Sequence, residues 1–553
     1  MHSQKKIRVG VMLNRANTSA WAFDVLKEIS ESDYAELSLV IYNGDKRNRP
    51  GNKFTINKFF SRFKYLLSYL YDRIDSRLFK EKPDAFKQVD LTAFLAGIPE
   101  VTVIPVAKGL SQWFPQADIA EIKKHNVDVL IRLGFSILKG EILSATTYGI
   151  WSLHHGDNKV NRGGPPGFWE MYLGQPVTGT ILQVLSEELD NGTLLFKSYA
   201  ATHKYSVNLS KNSFYWKSGR FFNRKLKELH MHGFDYLKQQ HRRDLSFYDR
   251  PLYTRATNMQ VILFGTRLVW KLFSKGLQSI FYRNQWFLLF GMNKNGEVIQ
   301  SMRRLKKMLP PRDRFWADPF VIFKDSRYYI FLEEKIASQK NAHIALIEMD
   351  EKGNWSQPRK VLESDVHLSY PFVFEHEGAF YMMPETKSKN AIELYKCTRF
   401  PDQWVFHQTI LENVKAVDPT LFRYNNKWWL FAGIAEGSSI SRNDELFIFH
   451  SDSPFGPWEA HTKNPVVSDV RRARPAGKIF HYKNKIYRPS QDCSVTYGYA
   501  IRMNEIITLN ENEFHEIEVD FIEPLWNSEM NGTHTFCFEH NLTMLDAVRK
   551  HRK

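Results

Sequence analysis

Cysteine is scarce in this chain of 553 residues: there are three, Cys397, Cys493 and Cys537, scattered and odd in number. Such a set supports neither a disulfide framework nor a zinc site, so no metal is expected, and it fits a reducing compartment. Long apolar runs are missing too, and none reaches the length that crosses a bilayer. The start, Met1-His2-Ser3-Gln4-Lys5-Lys6, passes straight into a β-type run without the apolar core of a secretory signal. Together these absences read as cytoplasmic. Acidic residues are in deficit, 60 against 76 Lys and Arg, for a formal net charge of +16. A basic surface favours anionic partners. Basic runs such as 303–307 and 471–474 come without a nucleic-acid module, so nucleic acid is not expected, and an anionic small molecule or a membrane surface fits better.

Aromatics are abundant: 14 Trp, 24 Tyr and 41 Phe make up 14% of the chain. Sugar-handling proteins share this trait because sugar rings stack on aromatic faces, although core packing alone also explains it. The length predicts two or three domains. Residues 7–13 and 37–42 read as parallel strands around a helix at 21–30, the opening of a doubly wound α/β domain. The basic, aromatic segment 54–82 reads as helix lying on the sheet or on a membrane. Residues 101–106 and 127–135 read as further strands, with a helix at 117–125 between them. A polar helical stretch follows at 205–255, then an amphipathic basic helix through Trp270 and Phe273 to Phe281. Residues 206–282 thus read as a helical linker between domains at 1–205 and 283–553. Docking against a neighbour and peripheral contact with a membrane surface both stay open for that last helix.

The stretch from Tyr148 to Leu195 carries the first chemistry. A β-type run, Gly149-Ile150-Trp151-Ser152-Leu153-His154, ends in an imidazole. The loop Arg162-Gly163-Gly164-Pro165-Pro166-Gly167 brings backbone N–H groups within reach of a ligand. A second strand at 177–185 leads to Asp190-Asn191-Gly192. A His and an Asp at neighbouring strand ends form an acid/base pair, the carboxylate orienting the imidazole that moves the proton. A lone His at a strand end is commonly only structural.

The spacing of these residues resembles the N10-formyltetrahydrofolate-dependent formyltransferase family. The resemblance covers roughly the first two hundred residues. It implies His154 and Asp190 as the catalytic pair, Arg162, Gly163 and Gly164 as the loop that binds the co-substrate N10-formyltetrahydrofolate, and Ser152 at the place of the family's Asn. That amide would steady the oxyanion, and a Ser hydroxyl reaches less far. The family's Ser-Leu-Leu-Pro is replaced by His155-Gly156-Asp157-Asn158.

Helical signals almost vanish from the second half, which repeats itself. Trp316-Ala317-Asp318-Pro319-Phe320, Ser369-Tyr370-Pro371-Phe372, Val417-Asp418-Pro419-Thr420 and Ala473-Arg474-Pro475-Ala476 recur about every fifty residues. Each is followed by a polar turn and an aromatic strand, at Tyr328-Tyr329, Phe380-Tyr381, Trp428-Trp429 and Ile486-Tyr487. Four-stranded units at this period predict a β-propeller. A fifth unit can be assembled from 285–290 and the C-terminal 532–536, joining the two ends.

The Asp-Pro openings resemble the five-bladed propellers of family 43 glycoside hydrolases, and more closely the N-terminal domain of plant glucosamine inositolphosphorylceramide transferases. The resemblance implies that Asp318 and Asp418 face the central funnel as general base and pKa-tuning partner. The expected fourth-unit acid is replaced by Arg474, which weakens hydrolysis by the two-carboxyl route. Glu333, Glu334, Glu385 and His534 are further funnel candidates, and an Arg beside carboxylates suits a phosphorylated or acidic sugar. Asp-Pro as a plain strand-start turn is the competing explanation.

Two functions follow. One is formyl transfer from N10-formyltetrahydrofolate to the amine of an amino sugar, nucleotide-linked or glycan-bound, in surface-polysaccharide synthesis. The other is glycan binding or glycan transfer by the propeller, with a degenerate first domain. Oligomeric state is not legible.

Overall fold

A computed structural model of the chain describes residues 5–45, 63–240, 248–386, 388–437 and 439–553. The chain divides into two compact units, Met1–Leu272 with Gly437–Ile440, and Phe273–Glu436 with Ser441–Lys553. Part of the basic aromatic segment, 54–62, lies outside the described residues.

The first unit is built on a seven-stranded mixed sheet in the order Thr193–Ala201, Val177–Val184, Ile150–His154, Val129–Arg132, Ile7–Leu13, Ala35–Asn43, Glu100–Val103. The last five in that order are parallel, and the first two add antiparallel. Short apolar runs such as Val129-Leu130-Ile131 are buried on both faces, as expected of covered parallel strands. Val129, Ile131, Trp151 and Leu153 face the helices Ala20–Glu31 and Val207–His232. Leu130 and Ile150 point the other way, toward the helix Gln116–Lys124. Ser152 and His154 alternate with Trp151 and Leu153, so they share the face of Ile150 at the carboxyl end of their strand.

The helix Val207–His232 is not a linker. Phe214, Phe221, Phe222, Leu226 and Leu229 are buried, most of them in the core beneath the central sheet. At roughly 1.5–3 kcal/mol for each fully buried large side chain, that face is integral to the first unit. Its Ser206 N-cap accepts from the Leu209 N–H at 3.1 Å. The strand expected over 101–106 ends at Val103, and Val106–Lys108 pairs elsewhere.

The second unit is sheet-rich: its described residues form five antiparallel sheets, four of them successive along the chain. Three run Arg314–Leu362, Ser369–Leu411 and Phe480–Ile522 as four-stranded meanders, and a fourth, from Ala416, carries an extra short strand at Val467–Ser468. Two-residue turns recur between the first and second strands, with positive φ at Asp325 and Ser326, Glu377 and Gly378, Asn425 and Asn426, and Lys483 and Asn484. Such turns match the right-handed twist of a hairpin, which explains the fixed register after each Asp-Pro-type opening.

The remaining sheet joins the ends: Tyr282–Met292 pairs along its whole length with Leu542–Arg552. The sequence reading placed 532–536 in that role. Instead Met530–Gly532 and Phe536–Glu539 lie on the far side of Leu542–Arg552, a strand not singled out from the sequence. Among the described residues no helix is long and apolar enough to cross a membrane.

Candidate functional site

The repeated openings of the second unit are bulges. Register slips between Ala317 and Phe320, Ser369 and Phe372, and Val417 and Thr420. Within each slip the residue before proline takes a left-handed φ: Asp318 at 52°, Tyr370 at 46°, Asp418 at 49°. A residue before proline normally prefers extended backbone, so three such outliers in equivalent positions are strain held by their surroundings. What holds them is a buried polar network.

Asp418 receives Arg474 on both oxygens, from Nε at 2.6 Å and Nη2 at 3.1 Å, and Gln491 Nε2 at 2.6 Å. Arg474 also donates to Asn443 Oδ1 at 2.9 Å and lies 3.4 Å from Glu385 Oε2, which accepts the Asp418 N–H. Burial pushes the Asp418 carboxyl up to about 7, against the opposing pull of Arg474. In the neighbouring cluster His534 stands between Asp546 at 2.6 Å and Asp318 at 3.5 Å. Burial opposes a charge there, but the two carboxylates outweigh it and lift the imidazole to about 9. Burial likewise raises Asp318 to about 7, with His534 pulling the other way.

Ligand-type atoms of Asp318, His534 and Asp546 lie within 4.8 Å of one another, a spacing that a metal ion can use. All four carboxylate oxygens are already engaged, however. Asp546 accepts the N–H groups of Asp318, His534 and Thr535, and Asp318 accepts from Thr535 Oγ1 and the Tyr370 N–H. The cluster therefore reads as a clamp on the Asp318 bulge.

Above this network lies a cleft of about 950 Å³. Glu333, Glu385, Arg474 and His534 line it, together with Arg442, His367, Asn443 and the rings of Trp286, Phe315 and Tyr497. Tyr497 is 47% exposed, and Trp286 stacks on His534 at 4.1 Å between centroids. Glu333 pairs with His367 at 3.0 Å, a hydrogen bond that raises the imidazole's pKa. Two sequence expectations change here. Asp318 and Asp418 are buried and are not part of the lining; they contact His534 and Arg474, which are. Glu334 is turned away, held by Trp316 Nε1 at 2.9 Å and His343 at 3.0 Å. His367, Arg442 and Tyr497 come from loops with no repeated pattern, and sequence reasoning missed them.

In the first unit His154 Nδ1 lies 3.4 Å from Asp190 Oδ2, so the sheet does bring the expected pair together. His154 Nε2 faces the carbonyl of Asn161 at 2.9 Å. Ser152 is buried and its hydroxyl accepts from Arg132 Nε at 2.9 Å. The Arg162-Gly163-Gly164 loop spends its backbone on a neighbouring segment. The Arg162 N–H donates to Tyr248 Oη at 3.0 Å, and the Gly164 N–H to the Tyr253 carbonyl at 3.0 Å. A Cβ on Gly163 would sit 2.2 Å from that same carbonyl, so only glycine fits. Nearby, Glu170 is buried with Oε1 bound to Asn161 Nδ2 at 2.9 Å and Oε2 without a protein partner. Burial raises its carboxyl.

The family described as "Glucosamine inositolphosphorylceramide transferase 1, N-terminal" matches residues 302–540. A rice protein (Oryza sativa subsp. japonica) named glucosamine inositolphosphorylceramide transferase 1 is 36% identical over 209 residues, 37% of this chain and 28% of the relative. A methionyl-tRNA formyltransferase from Prochlorococcus marinus is 30% identical over 128 residues, 23% of this chain and 35% of the relative. The chain thus spans only about a third or less of the length of these relatives. Among solved structures, a family 117 glycoside hydrolase from Zobellia galactanivorans is 11% identical with a TM-score of 0.32, covering 49% of this chain and 90% of its own.

Proposed function

We propose that the second unit is a five-bladed β-propeller, its ring closed where the two ends pair, and that its cleft holds a glycan carrying an amino sugar. The protein then takes part in transferring a group to or from that glycan. One observation carries this reading: Glu333 and Glu385 line one cleft with Arg442, Asn443 and His367 and with three aromatic rings. Carboxylates accept from sugar hydroxyls and from an ammonium, the arginine and amide donate, and rings stack on sugar faces. The name of the rice relative supports the same class, since it pairs glucosamine with an inositol phosphate and a ceramide. A phosphate beside the sugar would meet Arg442. Hydrolysis through paired carboxyls is disfavoured, because Asp418 is bound on both oxygens by Arg474.

A glycan array probed with the full chain tests this reading. Glucosamine-bearing glycans should bind in preference to their N-acetylated and glucose counterparts. Absence of binding to any glycan by folded protein would sink it.

Formyl transfer to that amine is the second reading, favoured by the His154–Asp190 pair at 3.4 Å. N10-formyltetrahydrofolate would supply the formyl carbon. His154 and Asp190 would hold the proton taken from the amine, with Ser152 at the oxyanion side. For this His154 Nε2 must leave the Asn161 carbonyl, and Ser152 must share its hydroxyl with Arg132. Calorimetric titration with a stable analogue of the co-substrate decides it: micromolar binding lost in His154→Ala supports it, and no binding removes it.

A further inference from the structure

Arg132 ends an otherwise apolar strand, Val129–Arg132. The register pairs Leu130 with Ile150 and Ile131 with Trp151, so the next step sets Arg132 beside Ser152. Alternation then puts Arg132, Ser152 and His154 on one face of the sheet, the face of Leu130 and Ile150. The guanidinium is fixed at two points: Nε donates to Ser152 Oγ at 2.9 Å, and Nη1 to the Ser136 carbonyl at 2.9 Å. Ser136 is itself anchored, its N–H donating to Gln112 Oε1 at 2.7 Å and its hydroxyl to the Leu110 carbonyl at 2.6 Å. In the turn that leads to it Phe135 has a φ of 66°, and a Cβ on Gly134 would sit 2.5 Å from the Asn14 backbone nitrogen.

A guanidinium drawn out of water normally meets a carboxylate. Among the described residues Arg132 meets none at ion-pair distance, and its Nη2 donates to none of them. Burial pushes its pKa down, and the charge of Asp190 opposes that. The same Asp190 stands 3.4 Å from His154, so the guanidinium and the His154–Asp190 pair share one carboxylate's field. Other donors in this place are committed. The Arg162 N–H goes to Tyr248 Oη and the Gly164 N–H to the Tyr253 carbonyl. Ser152 has one hydroxyl proton and donates it to the Leu153 carbonyl at 3.3 Å.

We propose that Arg132, not Ser152, holds the formyl oxygen as negative charge develops on it. This role rests on the formyl-transfer reading of the first unit. In that reaction the amine nitrogen bonds to the formyl carbon, and the C=O electron pair moves onto oxygen. As the pair returns, the bond from that carbon to N10 of the donor breaks, and N10 takes up the proton that the amine has lost. His154 and Asp190 handle the proton, and the Arg132 Nη2 donors meet the oxygen. A guanidinium stays charged throughout, so its field is in place before the oxyanion forms. Its hold on Ser152 and Ser136 fixes its direction, and no reorganisation is needed at the moment of attack.

The test is calorimetric titration of the full chain with 10-formyl-5,8-dideazafolate, a stable analogue of the co-substrate, and with 5,8-dideazafolate, which lacks the formyl group. The wild type should bind the formylated compound roughly tenfold more tightly, the effect of one hydrogen bond from a charged donor. Arg132→Met keeps most of the stem and should bind both compounds alike, with the wild type's affinity for the unformylated one. Arg132→Lys should keep part of the preference. A preference that survives in Arg132→Met, equal loss of both compounds in the folded variant, or no preference in the wild type overturns the role. Arg132 is then a pin between the sheet and Ser136. Where Arg132→Met does not fold, Arg132→Lys decides, and an undiminished preference again overturns the role. No binding of either compound by the wild type overturns the formyl-transfer reading itself, and the role of Arg132 with it.

Discussion

Arg474 and the two carboxylates beside it must be considered together. Removing the guanidinium strands Asp418 and Glu385 in a buried pocket, and breaking a buried pair in this way costs about 3–5 kcal/mol. Arg474→Ala should therefore lower the denaturant midpoint steeply, whereas Arg474→Lys keeps the charge, loses the two-point grip and falls between. His534 gives a pH signature. Its imidazole titrates near 6.5 when unfolded and at about 9 when folded. The native state therefore holds a proton that the unfolded state releases first. The stabilisation is complete below pH 6.5 and is lost as pH rises through 9, an effect on the order of 3 kcal/mol. Stability of the second unit should decline over that window, and His534→Gln should flatten the decline. His367 acts on binding instead. While protonated it holds Glu333, so affinity for an ammonium-bearing sugar should rise as pH passes upward through the raised His367 pKa.

Elements differ in how openly they declare themselves. The hairpins of the second unit are legible because apolar alternation is punctuated by two-residue turns that need positive φ. At Asn425-Asn426, alanine at both positions should cost about 1–2 kcal/mol per residue, and glycine at 426 should be neutral or stabilising, as read by thermal unfolding. The helix Val207–His232 is the opposite case. It buries Ser210, Asn212, Lys217, Ser218, Asn223 and Lys225 along with its phenylalanines, so its pattern imitates a solvated face and reads as a linker. Asn212 Oδ1 accepts the Ala85 N–H at 2.7 Å, and Lys217 Nζ reaches the Tyr199 carbonyl at 3.1 Å. Polar side chains that bond to distant backbone cannot be told from surface residues by periodicity.

Across the whole molecule, the parts of the site that repeat were legible and the parts that do not repeat were not. Asp318, Asp418 and Arg474 occupy equivalent openings and could be singled out from spacing, although their burial beneath the cleft could not. Glu385 and Glu333 were singled out as candidates, and both line the cleft of the second unit. His367, Arg442 and Tyr497 depend on loop paths that only the folded chain defines. In the first unit the His154–Asp190 pair was readable from strand ends, while the hold of Arg132 on Ser152 needed the order of strands in the sheet.

The central claim is that the cleft of the second unit binds an amino-sugar glycan. The most direct test is calorimetric titration of a glucosamine oligosaccharide into the wild type, Glu333→Gln, Arg442→Ala/Tyr497→Ala and His154→Ala. Loss of a charged hydrogen bond is worth about 1.5–3 kcal/mol, so Glu333→Gln should weaken binding roughly ten- to a hundredfold. The double variant should abolish binding, and His154→Ala should leave it unchanged. Full affinity in both cleft variants, with loss in His154→Ala, would contradict the account and move the sugar to the first unit.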